Sequence, residues 1–390
     1  MKRYDHLYEK IYDLENLRKA HQHAKKGKSW YREVQEIDKD PDRYLIQIQK
    51  MLVDHTYKTS DYDVFYKRDG KKLRKIYKLP YYPDRICQWA IIQVIEPCII
   101  NNLTADTYSA IPGRGIHRCL AKLQTAMWND PEGCRYCLKL DAKHYYQSIN
   151  HDILKSKYSK MFNDPELLWL LNEIIDSTST AETEDLTTIY PREEDIDPET
   201  GIPIGNYLSQ YSGNYYFSDF DHWIKEQKHV KHYFRYMDDM VIFGGAEEEL
   251  FALKDEIDDY FRDELKLRIK ANWQVFPTYV RGVDFVGYRT FYKYTLLRKS
   301  TCLKMEKAMS AIGSKVKSGN MMNHSEWCSI NSYECWLQHA DTFRLTQKYI
   351  TPLHPYVDVY YKHIIKEGGK TTWLITDSHE ARSSRRSWRS

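Results

Sequence analysis

The chain has 390 residues, with 58 Lys+Arg against 55 Asp+Glu and 42% hydrophobic residues. This suggests about two to four structural units around a sizeable core and excludes wholesale disorder. No run of about 18 apolar residues exists, which excludes a transmembrane helix, and the N-terminal segment MKRYDHLYEKIYDLENLRKAHQHAKKGKSW lacks the apolar stretch of a secretory signal. Eight scattered cysteines, among them a lone CxxC at Cys134 and Cys137, predict reduced thiols and a cytoplasmic protein without membrane attachment.

In chain order, residues 4–25 carry Leu7, Tyr8, Ile11, Leu14 and Leu17 at helical period, and Pro41 to about Val53 reads as a second helix. VFYKR, a DG turn at Asp69-Gly70 and KLRKIYKL predict a basic β-hairpin. Arg85–Ile100 is an apolar helix, expected to be interrupted at Pro97, and residues 116–128 form another. Tyr136–Leu140 alternates as a strand ending on Asp141. GIPIGNYLSQYSGNYYFSDFDHW leads into a long helix, and HYFRYMDDMVIFGG fits a hairpin with Asp238 and Asp239 at its tip. An acidic helix over 247–264, a strand pair in GVDFVGYRTF and a mostly helical 300–350 complete the pattern; the Gly/Ser/Arg-rich stretch beyond about Lys366 reads as a flexible tail.

The small net charge of +3 conceals segregation. Residues 176–200 hold nine carboxylates and one arginine, a balance of −8, so the remainder carries 3 + 8 = +11. Phe65–Lys78 holds seven basic residues and one acid. A working surface that meets phosphates, with an acidic loop held apart, has this pattern. The 33 tyrosines add apolar bodies with polar tips that stack on planar groups or pack a core.

An aspartate at a strand end together with a pair on a hairpin suits a divalent cation, because three converging carboxylates repel unless neutralised. Hard oxygen ligands with few other donors favour Mg²⁺, and two such ions would activate a hydroxyl and stabilise a leaving pyrophosphate; Mn²⁺ is a possible substitute.

At these residues the chain resembles the reverse transcriptases. Tyr236-Met-Asp-Asp239 looks like their catalytic hairpin. Leu138-Lys-Leu-Asp141 with Tyr145-Tyr146-Gln-Ser-Ile-Asn-His151 resembles their first palm motif. Gly205-Asn-Tyr-Leu-Ser209-Gln210 resembles the helix start beneath template and nucleotide, and Phe285-Val-Gly287-Tyr288 is similar to the primer grip. The resemblance covers about residues 65–350 and implies an α/β (α+β) right-hand polymerase. Its parts would be an N-terminal extension and fingers over 1–130, an antiparallel palm over 131–295 with the acidic insertion, a helical thumb over 296–365 and a basic tail over 366–390.

By the same resemblance, Asp141, Asp238 and Asp239 are catalytic metal carboxylates, with the Ala142 carbonyl a further metal contact. Tyr146 is the gate that selects deoxynucleoside triphosphates. Lys72, Arg74 and Lys75 hold the triphosphate, with Lys71 as an alternative, and Arg85 supports the template or the fold. Lys270 is a candidate proton donor to pyrophosphate. Ile204 before Gly205, and Gln210 after Ser209, depart from the usual Gln-Gly and Ser-Pro and resemble the enzymes of diversity-generating retroelements. That likeness implies an RNA template, an RNA/DNA duplex product, adenine-directed errors and an accessory variability protein, a small basic helical oligomer for which loop 176–200 would be a docking surface. The source would be bacterial, archaeal or phage. The alternatives are a retron, group II intron-like or defence-associated reverse transcriptase, an RNA-dependent RNA polymerase, and a silent nucleic-acid-binding scaffold.

Overall fold

A computed structural model describes residues 3–69, 72–178, 180 and 199–366, without the side chains of 69, 72 and 361–366. Most of the acidic segment 176–200, Lys71 and the tail beyond 366 therefore lie outside the described residues. The chain divides into two compact units, Met1–Gly282 and Val283–Ser390. No helix among the described residues is long and apolar enough to cross a membrane. The fold is mixed, and each of its three sheets is antiparallel.

The first unit opens with helices α1 (Tyr8–Tyr12), α2 (Leu14–Ala24), α3 (Arg32–Ile37) and α4 (Pro41–Val53). The single helix expected over 4–25 is two, because Asp13 leaves helical geometry and caps α2 by accepting the Asn16 N–H. Strands β1 (Asp63–Asp69) and β2 (Lys72–Lys78) pair in the expected basic hairpin. Helix α5 (Ile86–Asn101) runs through Pro97 without interruption. Its Ile91, Ile92, Ile95, Cys98 and Ile99 are all buried against the core, and that burial outweighs the one lost N–H and the ring's crowding. Because α5 is apolar all round, it sits inside, against α2 and α9 (Tyr207–Tyr216).

Helix α6 (Ile116–Asn129) leads to β3 (Tyr136–Asp141), followed by α7 (His151–Met161) and α8 (Pro165–Ile175). The long helix expected after Gly205 is α9, α10 (Ser218–His222) and a wider turn over Trp223–Gln227. Strands β4 (Tyr233–Tyr236) and β5 (Asp239–Gly244), helix α11 (Glu247–Glu264), β6 (Gln274–Pro277) and α12 (Thr278–Arg281) complete the unit. The four-stranded sheet runs β4-β5-β3-β6, which places β3 beside the hairpin strand that carries Asp239. Alternation buries Leu138 and Leu140 from β3 and Met240 and Ile242 from β5 in the core.

The second unit contains β7 (Val283–Phe285), β8 (Tyr288–Thr290), β9 (Thr295–Leu297), α13 (Lys299–Lys317), α14 (His324–Leu337), α15 (Phe343–Leu345) and α16 (His354–Lys366). Phe285 and Tyr288 face each other across a two-residue turn in which Val286 and Gly287 both have positive φ. A Cβ on Gly287 would lie 2.3 Å from the Trp336 ring, so the turn packs directly on α14. Tyr288 stacks on Trp336 with centroids 5.2 Å apart and donates its hydroxyl to the Trp336 carbonyl at 3.0 Å.

Candidate active site

Strand register brings the three aspartates together. Asp141 is the cross-strand partner of Asp239, and Asp238 lies in the two-residue turn before it. The Ala142 N–H donates to the Asp238 carbonyl at 3.3 Å, binding the end of β3 to that turn. Beyond it, Ala142 bridges Ile269, and the Lys270 N–H donates to the Asp141 carbonyl at 2.9 Å.

The electrostatics are those of crowded carboxylates. Burial pushes the Asp238 carboxyl up to about 7, aided by the charge of Asp141, a hydrogen bond with it, and the charge of Asp239. Lys270 Nζ lies 3.0 Å from Asp141 Oδ2, and Lys139 Nζ lies 3.5 Å from Asp239 Oδ1. The other Asp141 oxygen, Oδ1, is buried, and no amine, amide or hydroxyl donates to it. Oxygen-only donors, two partly neutralising lysines and a carboxyl that holds its proton to about 7 fit a hard divalent cation, which would replace that proton.

Tyr146 lies on the short turn Tyr145–Ser148, with its hydroxyl 3.5 Å from Met237 Sδ. Its phenol is raised by burial and then by Asp238. Tyr145 stacks on Phe217 at 4.7 Å and donates to the Gly213 carbonyl. A Cβ at Gly213 would meet Tyr145 at 3.4 Å, Met237 Sδ at 3.5 Å and Tyr146 at 3.6 Å, ordinary contact distances that place this face of α9 against both tyrosines and Met237.

Ile204, Gly205 and Gln210 lie at the start of α9, and the β1–β2 hairpin reaches the first two. The Tyr77 N–H donates to the Ile204 carbonyl at 3.2 Å. Gly205 has φ +128°, and its missing Cβ would fall 2.5 Å from the Tyr77 carbonyl oxygen, so no larger residue fits without moving backbone. Gln88 of α5 caps α9 from outside, its Oε1 accepting from the N–H groups of Tyr207 at 2.9 Å and Leu208 at 3.4 Å. Gln210 is exposed one turn on. A cleft of about 110 Å³ between these elements is lined by residues including Phe65, Ile76, Arg85, Gln88, Gly205 and Tyr207.

Arg74 and Lys75 lie on β2, opposite Lys67 and Tyr66. Lys75 Nζ sits 5.2 Å from the Tyr77 ring, and Arg74 shares the strand face of Ile76, which lines the cleft. Lys72 begins β2, but its side chain lies outside the described residues. Phe285, Gly287 and Tyr288 belong to the second unit, as described above. Lys270, expected as a proton donor, is engaged with Asp141.

The largest omission of the sequence reading is Arg235. Its guanidinium and the Asp221 carboxylate are both 0% exposed, joined by Nε–Oδ1 at 2.7 Å and Nη2–Oδ2 at 2.5 Å. Tyr233 and Thr107 hydroxyls also donate to Asp221, at 2.6 and 3.0 Å. Arg235 Nη1 donates to the Met237 carbonyl at 3.0 Å and to Asn214 Oδ1 at 3.3 Å. Met237 has φ +59°, a left-handed conformation costly for a side-chain-bearing residue, and this guanidinium holds it one residue before Asp238. The available signal was a lone cation inside the otherwise aromatic run of β4.

A family model described as "Reverse transcriptase (RNA-dependent DNA polymerase)" matches residues 66–290. Protein YkfC of Escherichia coli (strain K12) is 23% identical over 282 residues, 63% of this chain and 71% of that protein. Among solved structures, apo telomerase from Candida tropicalis is similar with a TM-score of 0.49 and 12% identity over 70% of this chain and 53% of that one. Telomerase from the same yeast in complex with a TWJ fragment of telomeric RNA gives 0.48 and 10% over 84% and 59%. This chain spans just over half the length of those telomerase chains.

Proposed function

We propose, for a chain that belongs to the reverse transcriptase (RNA-dependent DNA polymerase) family, that it extends a DNA primer on an RNA template by nucleotidyl transfer. The observation that carries this reading is the Asp141–Asp239 register with Asp238 in the adjoining turn and Tyr146 against Met237. Asp141, Asp238 and Asp239 would hold divalent cations, Mg²⁺ by their hard oxygens, with the Ala142 carbonyl as a further donor and Mn²⁺ as a substitute. When bound, the cations would supply charge that favours the attacking 3′-hydroxyl as alkoxide and stabilises the leaving pyrophosphate.

The chain's own residues do the positioning. Arg74 and Lys75, with Lys72, bind triphosphate oxygens, Arg74 through a planar fork. Lys270 and Lys139 moderate the carboxylate charge around Asp141 and Asp239. Phe285, Gly287 and Tyr288 hold the primer strand, and residues 296–365 of the second unit serve as thumb. The fingers, palm and thumb assignment (1–130, 131–295 and 296–365) belongs to this proposal. Primer extension with Mg²⁺, comparing the natural chain with Asp238→Asn, tests the reading.

Tyr146 acts as a gate in this reading. Its ring packs edge-on against Tyr145, with centroids 5.6 Å apart, and Met237 meets its hydroxyl, so the ring has a defined position from which to reject a 2′-hydroxyl. Tyr146→Ala is expected to raise ribonucleotide incorporation relative to deoxynucleotide by about 10- to 100-fold. Competition assays with paired triphosphates measure the ratio, and an unchanged ratio would remove the gate assignment.

The finer reading is an enzyme of a diversity-generating retroelement, with adenine-directed errors and an accessory variability protein as partner. Ile204 and Gln210 support it. An aliphatic side chain before Gly205 offers shape contacts only, which discriminate mispairs less sharply than a hydrogen-bonding group. Ile204→Gln is expected to lower misincorporation opposite template adenine by about tenfold. Sequencing of cDNA copied from an adenine-rich RNA gives the answer, and an unaltered error spectrum would reject the role of this position.

A further inference from the structure

Residues ahead of the family match carry a second cationic surface, in the run Lys25-Lys26-Gly27-Lys28-Ser29-Trp30-Tyr31-Arg32. Trp30 is 72% exposed and meets Tyr31 edge-on, with centroids 4.3 Å apart. The segment is docked rather than loose. Glu33 accepts the N–H groups of Tyr81 at 3.1 Å and Tyr82 at 2.9 Å, which fixes α3 onto the turn that ends at Arg85.

That docking brings Lys28 within electrostatic reach of Arg85. The Lys28 ammonium is held below the usual lysine range, first by burial and then by the charge of Arg85, and burial likewise lowers Arg85. The Tyr31 ring lies 5.9 Å from Lys28 Nζ, and no ion pair neutralises Lys28 or Arg85 among the described residues. Arg85 Nε is buried without a hydrogen-bond partner. Two unneutralised cations that raise each other's energy, one with a buried orphan donor, gain from an incoming anion. Arg85 also lines the cleft with Gly205 and Tyr207, so the surface continues into the candidate active site.

We propose that Lys28, Trp30, Tyr31 and Arg85 form a seat for a single-stranded phosphodiester chain, the unpaired template ahead of the cleft. Phosphates lie on Lys28 and Arg85, and one base stacks on Trp30. The identification of the strand as template rests on the polymerase reading above; the strand site itself does not.

The test is fluorescence anisotropy with the full chain and a labelled 12-nucleotide single-stranded RNA, or DNA of the same sequence, across a salt series. Trp30→Ala is expected to weaken RNA binding about tenfold, and Trp30→Phe to restore most of it, because stacking tolerates any aromatic ring. Lys28→Gln is expected to reduce the slope of log affinity against log salt by about 0.7, the signature of one lost phosphate contact. RNA affinity unchanged by Trp30→Ala and Lys28→Gln would overturn the seat and assign the exposed indole to a protein contact. DNA binding more tightly than RNA would overturn the template assignment. Binding is read without primer, triphosphate or divalent cation, so a chain that polymerises nothing still reports on the seat. Trp30-dependent binding without polymerisation would count against the proposed function alone.

Discussion

Asp238→Asn is expected to abolish primer extension, by roughly a thousandfold or more, while making the metal-free protein more stable at pH 8. The two effects share one cause. The folded-state carboxyl keeps its proton up to about 7, against about 4 for an ordinary aspartate. Between those values the folded chain binds more protons than the unfolded chain, so stability falls as pH rises through the window. Above it, the metal-free protein carries an uncompensated carboxylate beside Asp141 and Asp239. Asparagine keeps the shape and removes that charge, so Tm at pH 8 should rise by several degrees, with little change at pH 5.

Mg²⁺ should raise the Tm of the natural chain more at pH 8 than at pH 5, because cation and proton compete for the same carboxylates. Differential scanning calorimetry at the two pH values, with and without Mg²⁺, measures this. Polymerisation surviving Asp238→Asn would sink the assignment of this carboxylate, and a destabilised variant at pH 8 would contradict the electrostatic account.

Arg235→Met is expected to cost about 3–5 kcal/mol, because it leaves Asp221 as an unpaired buried charge. The loss reaches beyond the pair. Tyr233 and Thr107 keep their bonds to Asp221, whereas the Met237 carbonyl and Asn214 lose their donor. The double variant Arg235→Met with Asp221→Leu removes both charges and should recover part of the stability; the recovery is incomplete because the Tyr233 and Thr107 hydroxyls then lose their acceptor as well. Polymerisation should stay low in the double variant, because nothing then holds the left-handed Met237 in place before Asp238. Urea denaturation and primer extension on the same preparations separate the two outcomes. A single variant of natural stability, or a double variant with natural activity, would show that Arg235 does not position the turn.

Much of this molecule is legible in its sequence. The alternation of Tyr136–Leu140 and the paired runs around Met237 predict strands, and they form β3, β4 and β5. The acidic amphipathic pattern of 247–264 predicts α11, and the DG turn predicts the basic hairpin. These features depend on side-chain period and turn chemistry, which are local. Local rules also misled where burial opposed them. Pro97 lies inside α5 because its neighbours fill the core, and Asp13 splits an apparently continuous helix because its side chain caps the second half.

Residue order alone specifies which groups the site contains: three carboxylates, a tyrosine five residues after the first, a glycine before a helix and a basic hairpin. Long-range packing sets how they act together. The β4-β5-β3-β6 order sets Asp141 across from Asp239, a pairing between residues far apart in the chain. It also decided that Arg235 is a buried support and not a surface cation, that Gln88 caps a helix it does not belong to, and that Lys270 faces Asp141. Such roles follow from desolvation and from partners brought close by packing. Neither has a signature in local spacing, because the free energy of a buried charge or amide is set by what surrounds it after the chain has folded.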